Sequence, residues 1–393
     1  MTNIFLARQP ILDRDQSVQG YELLYPREQT LFGDGELATA RVVLNALTEI
    51  GLEDLVGQSR AWINITPEFL LLDLVRNLPP ERVVLELHAA RVVDQSMLDL
   101  IRELRGAGYV LALDQFRFTP TLEPLLRVVD IVKLDMHALG PRELARQASK
   151  LTPYGLTLVA EKIESYDDVR IATAAGCDLF QGYFFCRPHL IGGRAIPPSR
   201  LGLMQLASAL QDPTIELAEL ERLISGDVAL SYRLLKYINS AYYGLRGRIA
   251  SIKQAIALLG IEPLRRWATL TIFAELGDKP RELFVTALIR AHFCQHAGTT
   301  QDGPEVELFT LGLFSVLDAL TDTSMHTALE NLPLTPSMRG ALIDHTGAGR
   351  LLDCVTAIEH GSFEHASQIL SDSSEHYLES VAWSNDVAKQ MID

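Results

Sequence analysis

Seven polar residues in the first half of the sequence stand at or just past the ends of short apolar runs. Burying a carboxylate in such a run costs several kcal/mol unless another group pairs with it. A single residue of this kind has an ordinary explanation, a backbone hydrogen bond at the end of a strand. A succession of them indicates that they converge on one site. They are Glu22, Asn64, Glu86, Asp114, Lys133, Glu161 and Gln181.

Carboxylates and amides that converge in this way are typical ligands of hard divalent cations such as Mg²⁺ or Mn²⁺. A cation held there activates water or polarises a phosphate oxygen, and Lys133 is able to orient that water or phosphate. The set therefore predicts a divalent-cation site, provided that the strands bring these side chains together.

The apolar runs alternate with helical patterns such as residues 37–50 and 96–105. The polar turn Asp13-Arg14-Asp15-Gln16 between the first two runs predicts an antiparallel hairpin. The whole pattern predicts an α/β domain, a (β/α)8 TIM-like barrel whose first strand runs against the rest, with the polar residues at one mouth. A doubly wound open sheet is the alternative, but no G-x-G-x-x-G turn supports it. The predicted strands are 5–12, 20–25, 61–65, 83–87, 110–113, 131–134, 157–160 and 178–180.

The pattern changes at the linker Gly192-Gly193-Arg194-Ala195-Ile196-Pro197-Pro198. Beyond it, apolar residues recur at helical spacing almost to the end of the chain, and Ser251 and Gly260 are typical of a helix start and stop. We therefore expect a barrel over residues 1–195 and an all-α bundle over residues 200–393.

The charge of the chain argues against two classes of partner. Its net charge is −15 and its pI is near 5.1, which disfavours nucleic acid and anionic membrane surfaces. There is no charged leader before an apolar run and no apolar run long enough to span a membrane. The four cysteines are scattered, without a C-x-x-C pair. These features predict a cytoplasmic protein.

The motifs of the first half resemble those of the EAL domain, the cyclic-di-GMP phosphodiesterase family, over residues 4–190. Arg8-Gln9-Pro10-Ile11 is similar to its opening strand, Glu22-Leu23-Leu24 stands where the name-giving Glu-Ala-Leu belongs, and Gln181-Gly182-Tyr183-Phe184-Phe185 matches its closing motif. The resemblance implies one Mg²⁺ or Mn²⁺ site, catalytic residues that persist as a vestige, and contacts to cyclic di-GMP. The implied metal ligands are Glu22, Asn64, Glu86 and Asp114, the catalytic residues Lys133 and Glu161, and the nucleotide contacts Gln9, Glu22, Leu24 and Gln181.

Departures from the family pattern predict a degenerate enzyme, among them Ala89 in place of an acid and Lys162 in place of a Gly. Gln115 replaces the second acid of the Asp-Asp pair, so the charge that a second dication needs is lost. The following loop, Phe116-Arg117-Phe118-Thr119-Pro120, lacks the family's glycines. Pro26 stands where a phosphate-contacting Arg is expected, unless Arg27 substitutes for it.

The second half resembles the HDOD domain, a helical relative of HD phosphohydrolases without their metal residues. The similarity lies in the stretches from Leu230 to Ala241 and from Ser251 to Gly260. Ser315 and Val316 occupy the position of the hydrolases' His-Asp pair. The order of the two domains is that of tandem bacterial signalling proteins.

Together these features predict a catalytically degenerate cyclic-di-GMP signalling protein that acts through contacts of the helical domain with an unidentified signalling protein. The barrel is a candidate cyclic-di-GMP site. One alternative is a weak metal-dependent phosphodiesterase that releases linear pGpG, with Gln115, Asp135 or Glu164 helping to hold a second ion. The other alternative is a scaffold without a ligand.

Overall fold

The structure is a computed structural model. The chain divides into two compact units, one made of Met1–Arg187, Pro280–Glu282 and Asp353–Asn385, the other of Pro188–Lys279, Leu283–Leu352 and Asp386–Asp393. The predicted helix 37–50 and most of the predicted linker lie outside the described residues. The structure describes residues 6–25, 51–65, 74–89, 95–189, 198–210, 215–226, 251–275, 279–299, 302–330 and 334–392, with residues 230, 231, 234, 238, 249 and 332.

Eight strands in the first unit close into a barrel in sequence order. Strand β1 pairs antiparallel with both of its neighbours, β2 and β8, and all other neighbouring pairs are parallel. The predicted barrel with a reversed first strand is confirmed. The strands are β1 Ala7–Asp13, β2 Val18–Leu24, β3 Arg60–Ile65, β4 Val83–His88, β5 Val110–Asp114, β6 Ile131–Asp135, β7 Thr157–Glu161 and β8 Leu179–Gln181.

The reversal of the first strand follows from the polar turn between β1 and β2. The Asp13 carboxylate accepts from the backbone N–H groups of Asp15 and Ser17, each at 2.9 Å. Gln16 adopts the left-handed region with φ 61° and donates its backbone N–H to the Asp13 carbonyl at 3.0 Å. Such a local network satisfies the turn backbone, and the chain therefore folds back on itself.

The interior of the barrel holds a layer of apolar side chains drawn from six strands. Gly20 makes room for the largest of them, because a Cβ at Gly20 would lie 2.4 Å from Nε1 of Trp62. Since side chains alternate along a strand, residues two positions apart in one strand both point into the barrel interior. The layer consists of Ile11, Trp62, Val84, Ala112, Ile131 and Val159.

Helices lie between the strands in the sequence. The segments Pro280–Glu282 and Asp353–Asn385 belong to the same compact unit as the barrel. Helix α4 begins after Asp135, whose carboxylate accepts from the Ala138 N–H at 2.9 Å, and α5 begins with a capping box between Ser165 and Asp168. The described helices between the strands are α1 Leu52–Val56, α2 Gln95–Gly106, α3 Glu123–Leu126, α4 Met136–Leu151 and α5 Tyr166–Ala175.

The described residues after 198 are helical, as predicted. Ser251 caps its helix through the Gln254 N–H at 3.2 Å, and the helix ends before Gly260, which has φ 83°. No described helix is both long and apolar enough to cross a membrane. The helices are α6 Pro198–Leu210, α7 Leu217–Ser225, α8 Ile252–Leu259, α9 Ile261–Glu275, α10 Arg281–Ala297, α11 Glu305–Phe314, α12 Leu317–Thr321, α13 Met325–Leu329, α14 Pro336–Ile343, α15 Arg350–Glu359, α16 Phe363–Ile369 and α17 Ser373–Ile392.

Candidate functional site

A polar layer lies directly beyond the apolar layer, toward the carboxyl ends of the parallel strands. Its members in β3 to β7 each follow an apolar-layer residue by two positions, and Gln9 precedes one by two positions in the reversed strand β1. Gln181 follows by two positions Leu179, which packs against the apolar layer, so these side chains face the interior. The structure thus brings together the side chains that the sequence singled out. The polar layer comprises Gln9, Asn64, Glu86, Asp114, Lys133, Glu161 and Gln181, with Glu22 paired to Gln9 across β1 and β2.

Lys133 is the centre of this layer. Its ammonium nitrogen lies 2.8 Å from Glu22 Oε2, 2.8 Å from Glu86 Oε2 and 3.0 Å from Glu161 Oε1, and its side chain is fully buried. An ammonium group has three donors, and each has a carboxylate partner here. Lys133 therefore neutralises part of the acidic cluster from inside.

Glu22 is held by amide groups as well as by Lys133. Its Oε1 accepts from Asn64 Nδ2 at 2.6 Å, and its Oε2 accepts from Gln181 Nε2 at 2.6 Å. The same Gln181 nitrogen donates to Gln9 Oε1 at 2.7 Å. In this arrangement both oxygens of Glu22 are occupied as acceptors, and its orientation is fixed by three strands.

The shared burial of these groups separates their pKa values. Burial would raise the pKa of Glu22, but the Lys133 charge and the hydrogen bonds from Lys133, Gln181 and Asn64 hold it below its ordinary value. Burial and the nearby Glu22 charge raise the pKa of Glu86 well above the ordinary value. Burial also raises the pKa of Glu161 to about 7, although Lys133 opposes this. Of these three carboxyls, Glu22 therefore gives up its proton more readily than an ordinary glutamate, whereas Glu86 and Glu161 hold theirs more tightly.

Gln115, the predicted departure from the family pattern, lines the cavity mouth and forms a hydrogen bond with a histidine. Its backbone is left-handed, with φ 51°, and its N–H donates to Asp114 Oδ1 at 2.6 Å. The side-chain oxygen Oε1 accepts from His88 Nε2 at 2.9 Å. The one acceptor that a neutral amide could offer to an ion is engaged with a histidine of the neighbouring strand.

The loops after β7 and β8 approach each other at the mouth. Lys162 has φ 57° and donates from Nζ to Asp135 Oδ2 at 2.6 Å. Gly182 has φ 150°, and a Cβ there would lie 2.0 Å from the Ile163 carbonyl oxygen, so the contact requires glycine. This close approach explains why a glycine stands at position 182 of the closing motif.

A cavity of about 920 Å³ opens above the polar layer, within the range typical of ligand sites. Its floor is acidic, and several cationic or ionisable basic side chains surround the mouth. The predicted nucleotide contacts Gln9, Glu22, Leu24 and Gln181 all line it. The basic groups are Arg117, His137, Lys162, Arg187 and His360.

The basic lining residues His137, Arg187 and His360 were not predicted. His137 and Arg187 lie shortly after β6 and β8, so their position after a barrel strand is a usable signal. No sequence pattern points to His360, because it lies far along the chain in a segment with helical periodicity. Only the folded chain brings it to the barrel.

The polar layer supplies oxygen donors of the kind that a hard cation takes. Glu86 Oε1 is buried without a hydrogen-bond partner in the described part of the chain, and the nearby donors are carboxylate and amide oxygens of the kind that Mg²⁺ and Mn²⁺ take. Glu22, Asn64, Glu86 and Asp114 would hold such an ion, which would supply Lewis-acid polarisation of a phosphate oxygen. Among the described residues, no group of three His, Cys, Asp or Glu side chains is already arranged around a metal position.

In the second unit, the position expected for a His-Asp pair carries no such ligands. Ser315 ends helix α11, and its hydroxyl donates to the Gly312 carbonyl at 2.7 Å. Arg290 Nη1 donates to Ser315 Oγ at 3.3 Å, and Val316 is buried. These residues pack in the helical core.

Comparisons with known proteins define the class of both parts. The EAL domain family matches residues 3–188, and the HDOD domain family matches residues 196–320. The protein is thus an EAL domain barrel followed by an HDOD domain.

Two relatives span nearly the whole chain. It is 33% identical over 404 residues to Cyclic di-GMP phosphodiesterase CdgJ of Vibrio cholerae, covering 98% of this chain and 94% of the relative. It is 30% identical over 399 residues to Uncharacterized protein YuxH of Bacillus subtilis, covering 97% and 98%. The chain therefore belongs to the EAL-domain cyclic-di-GMP phosphodiesterase family, as a tandem EAL–HDOD member. Among solved structures, the chain resembles Bacillus subtilis YkuI, a protein with an EAL domain in complex with substrate c-di-GMP and calcium. The two are 18% identical with a TM-score of 0.40, and the match covers 66% of this chain and 73% of YkuI.

Proposed function

We propose that this protein is a cyclic-di-GMP-responsive regulator whose barrel binds the nucleotide without hydrolysing it at a useful rate. The observation that carries the proposal is the engagement of Gln115 Oε1 by His88 at 2.9 Å. Hydrolysis by a two-metal site needs a second ion that stabilises the attacking and leaving oxygens. A neutral amide whose oxygen is already used is a poor ligand for that ion.

The other two residues able to help hold a second ion are also engaged with basic groups. Asp135 accepts from Lys162 at 2.6 Å. Glu164 lies 3.4 Å from His137 Nε2 and 3.5 Å from Arg187 Nη2. Competition from these partners further weakens a second metal site.

The same cavity retains the groups that nucleotide binding uses. Gln9 and Gln181 present amides on its wall, and Gln181 Oε1 is buried without a hydrogen-bond partner among the described residues. A dinucleotide carries two phosphates, and the basic mouth is suited to them. Lys133 offsets part of the repulsion that the acidic floor would exert on phosphate.

Calorimetry on the full chain tests the proposal. We expect cyclic di-GMP to bind in the presence of Mg²⁺ or Mn²⁺, and a Gln181→Ala variant to bind more weakly. Chromatography of the same mixtures is expected to show no accumulation of linear dinucleotide. Release of linear product that Glu22→Ala abolishes would refute the non-enzymatic reading, and an absence of binding would favour a scaffold without a ligand.

A phosphodiesterase is the second candidate, and two observations favour it. CdgJ, which matches 98% of this chain, is named a cyclic di-GMP phosphodiesterase. The barrel also retains Glu22, Glu86, Lys133 and Glu161 in direct contact. Under this alternative, turnover would depend on a divalent cation and would be lost in Glu86→Gln. The hydrolysis assay decides between the two.

The helical domain is proposed to carry the output through contacts with another signalling protein. In support, Ser315 and Val316 provide no hydrolytic ligands where related hydrolases have them. All-helical surfaces commonly bind amphipathic segments of partners. Affinity capture by the full chain, with and without cyclic di-GMP, tests this. If a Gln181→Ala variant captures the same proteins at all nucleotide concentrations, partner binding does not depend on the nucleotide.

A further inference from the structure

We propose that His360, contributed by the C-terminal segment of residues 353–385, is a base-contacting and specificity-determining residue of the barrel cavity. The inference rests on the proposed function for the identity of the ligand, a cyclic dinucleotide. Its own basis is the placement of His360, which lines the cavity together with Gln9, Glu22 and Gln181 and belongs to the same compact unit.

The backbone holds His360 at the mouth because helix α15 ends there. The His360 N–H donates to the Thr356 carbonyl at 3.1 Å, and the helix stops at Gly361, which has φ 73°. A Cβ at Gly361 would lie 3.5 Å from Leu24 Cδ1, and Leu24 lines the cavity. The end of this helix thus runs directly beside a predicted nucleotide contact.

The ring of His360 rests on a buried aromatic side chain. Its centroid lies 4.9 Å from that of Tyr183, with an interplanar angle of 36°. The Tyr183 hydroxyl donates to the Arg8 carbonyl at 3.1 Å, and Arg8 directly precedes Gln9. Because Tyr183 is fixed to strand β1, it supports one face of the exposed imidazole.

The hydrogen bonding of His360 fixes which ring nitrogen carries the proton. Its Nδ1 lies 2.7 Å from the Thr356 carbonyl oxygen. A carbonyl oxygen only accepts, so Nδ1 carries a proton, and in the neutral ring Nε2 is an acceptor. Guanine offers two adjacent N–H donors, at N1 and N2, on its Watson–Crick edge, whereas adenine offers a single N–H donor, at N6, beside an acceptor at N1. The side chain therefore combines an aromatic face for a purine with a preference for guanine.

The segment that carries His360 is anchored to the barrel. Arg8 Nη1 donates to Asn385 Oδ1 at 3.0 Å, and Asn385 Nδ2 donates to the Asp54 carbonyl at 2.8 Å. Its buried Tyr377 also forms a hydrogen bond with the Arg8 backbone. A residue on an anchored segment can preorganise a site, because little conformational freedom is lost on binding.

Calorimetry with cyclic di-GMP and cyclic di-AMP on the full chain tests the inference. Base–aromatic contacts predict that His360→Ala weakens cyclic-di-GMP binding about tenfold to hundredfold. His360→Phe keeps a ring but lacks the acceptor, so it is expected to bind both nucleotides while losing the preference for guanine. The matched control is His365→Ala, an exposed histidine of the same segment outside the cavity, which should bind as the wild type does.

The outcomes separate this inference from the proposed function. If the wild type binds cyclic di-GMP and His360→Ala binds it equally well, the role of His360 is refuted and the proposed function stands. If the wild type binds neither nucleotide, both fail. If His360→Ala lowers the melting temperature, its weaker binding could reflect misfolding, and the test is then the ratio of cyclic-di-GMP to cyclic-di-AMP affinity in His360→Phe. A ratio equal to that of the wild type overturns the inference.

Discussion

The ammonium nitrogen of Lys133 lies 2.8 Å from Glu86 Oε2, and neither side chain is exposed to solvent. Burial raises the pKa of Glu86 well above its ordinary value, and the Glu22 charge adds to this. Burial would lower the pKa of Lys133, but the surrounding carboxylates, Glu161 and Glu22 foremost, raise it well above its ordinary value. The positive charge is therefore kept in the barrel by the acids around it, and it stabilises them in turn.

Replacing this lysine is expected to destabilise the first unit strongly. In Lys133→Met the three carboxylates lose their common partner, and removing one member of a buried ion pair costs about 3–5 kcal/mol. Urea unfolding followed by circular dichroism measures the change. The control is Lys253→Met at an exposed position, which should stay within about 0.5 kcal/mol of the wild type. Equal stability of the two variants would contradict this account of the cluster.

Restoring the missing acid is not expected to restore hydrolysis. Gln115→Asp adds a carboxylate beside Asp114, and Asp tolerates the left-handed backbone there. The loop from Phe116 to Pro120 and the Pro26 position remain changed, however. Incubation of the variant with cyclic di-GMP and Mn²⁺ should yield no linear dinucleotide above the wild-type level. Turnover that appears in Gln115→Asp and is lost with chelator would show that this one charge is the whole defect.

The pH dependence of stability should reveal the buried Glu161. Burial, with the charges of Asp114 and Glu22, raises its pKa from 4.5 to about 7 against the opposing Lys133 charge. The folded state then binds the proton more tightly than the unfolded chain, so the contribution to stability is complete below about pH 4.5 and is lost as the pH rises to about 7. Glu161→Gln removes this loss.

The measurement for Glu161 is the difference in unfolding free energy between variant and wild type at several pH values. Relative to the wild type, Glu161→Gln should gain up to about 3 kcal/mol between pH 5 and pH 8. Any constant effect of the amide on Lys133 cancels in this comparison. A difference that does not vary with pH would mean that Glu161 titrates normally.

Much of the barrel was predictable because a two-residue period dictates which side chains share the interior. Glu86 lies two positions after Val84, and Lys133 lies two positions after Ile131. Each polar residue could therefore be assigned to the layer next to its apolar neighbour. Because the carboxyl ends of the parallel strands lie at one face of a barrel, these residues could also be assigned to the same mouth. The partners within the layer were not predictable, since the Lys133 contacts depend on the three-dimensional position of side chains from three other strands.

The part of the site outside the barrel sequence could not be predicted for a different reason. His360 reaches the cavity through tertiary packing of a helix end on Tyr183. Helical periodicity reports which face of a helix is buried but not which other element covers it. The grouping of residues 353–385 with the barrel is likewise a property of the folded chain.

Cyclic-di-GMP binding is expected to be weaker than in an EAL barrel with the usual phosphate-contacting Arg. Pro26, which lies outside the described residues, removes a charge-assisted hydrogen bond of about 1.5–3 kcal/mol, or about tenfold to hundredfold in affinity. Calorimetry on Pro26→Arg is expected to show tighter binding than the wild type. A sub-micromolar wild-type dissociation constant that does not depend on divalent cation would contradict the expectation.

A fragment that ends at residue 195 should be less stable than the barrel in the full chain. The cut removes residues 280–282 and 353–385, which belong to the barrel's compact unit. Tyr21, only 6% exposed in the full chain, donates its hydroxyl to Glu282 Oε2 at 2.7 Å. The Arg8 guanidinium lies 4.2 Å from the centre of the Tyr21 ring and also donates to Asn385. Without these partners, buried polar and aromatic groups on β1 and β2 become exposed.

The expected result is a lower melting temperature and a lower urea midpoint for the fragment, with weaker cyclic-di-GMP binding because Gln9 and Glu22 lie on the same two strands. Tyr21→Phe in the full chain isolates one contact, since it leaves the buried Glu282 without its donor, at a cost of about 1–3 kcal/mol. Burial raises the pKa of Glu282, which Arg8 opposes, so part of that cost is relieved at low pH by protonation. A fragment that melts and binds like the full chain, together with a Tyr21→Phe variant of unchanged stability, would show that the later segments are dispensable to the barrel.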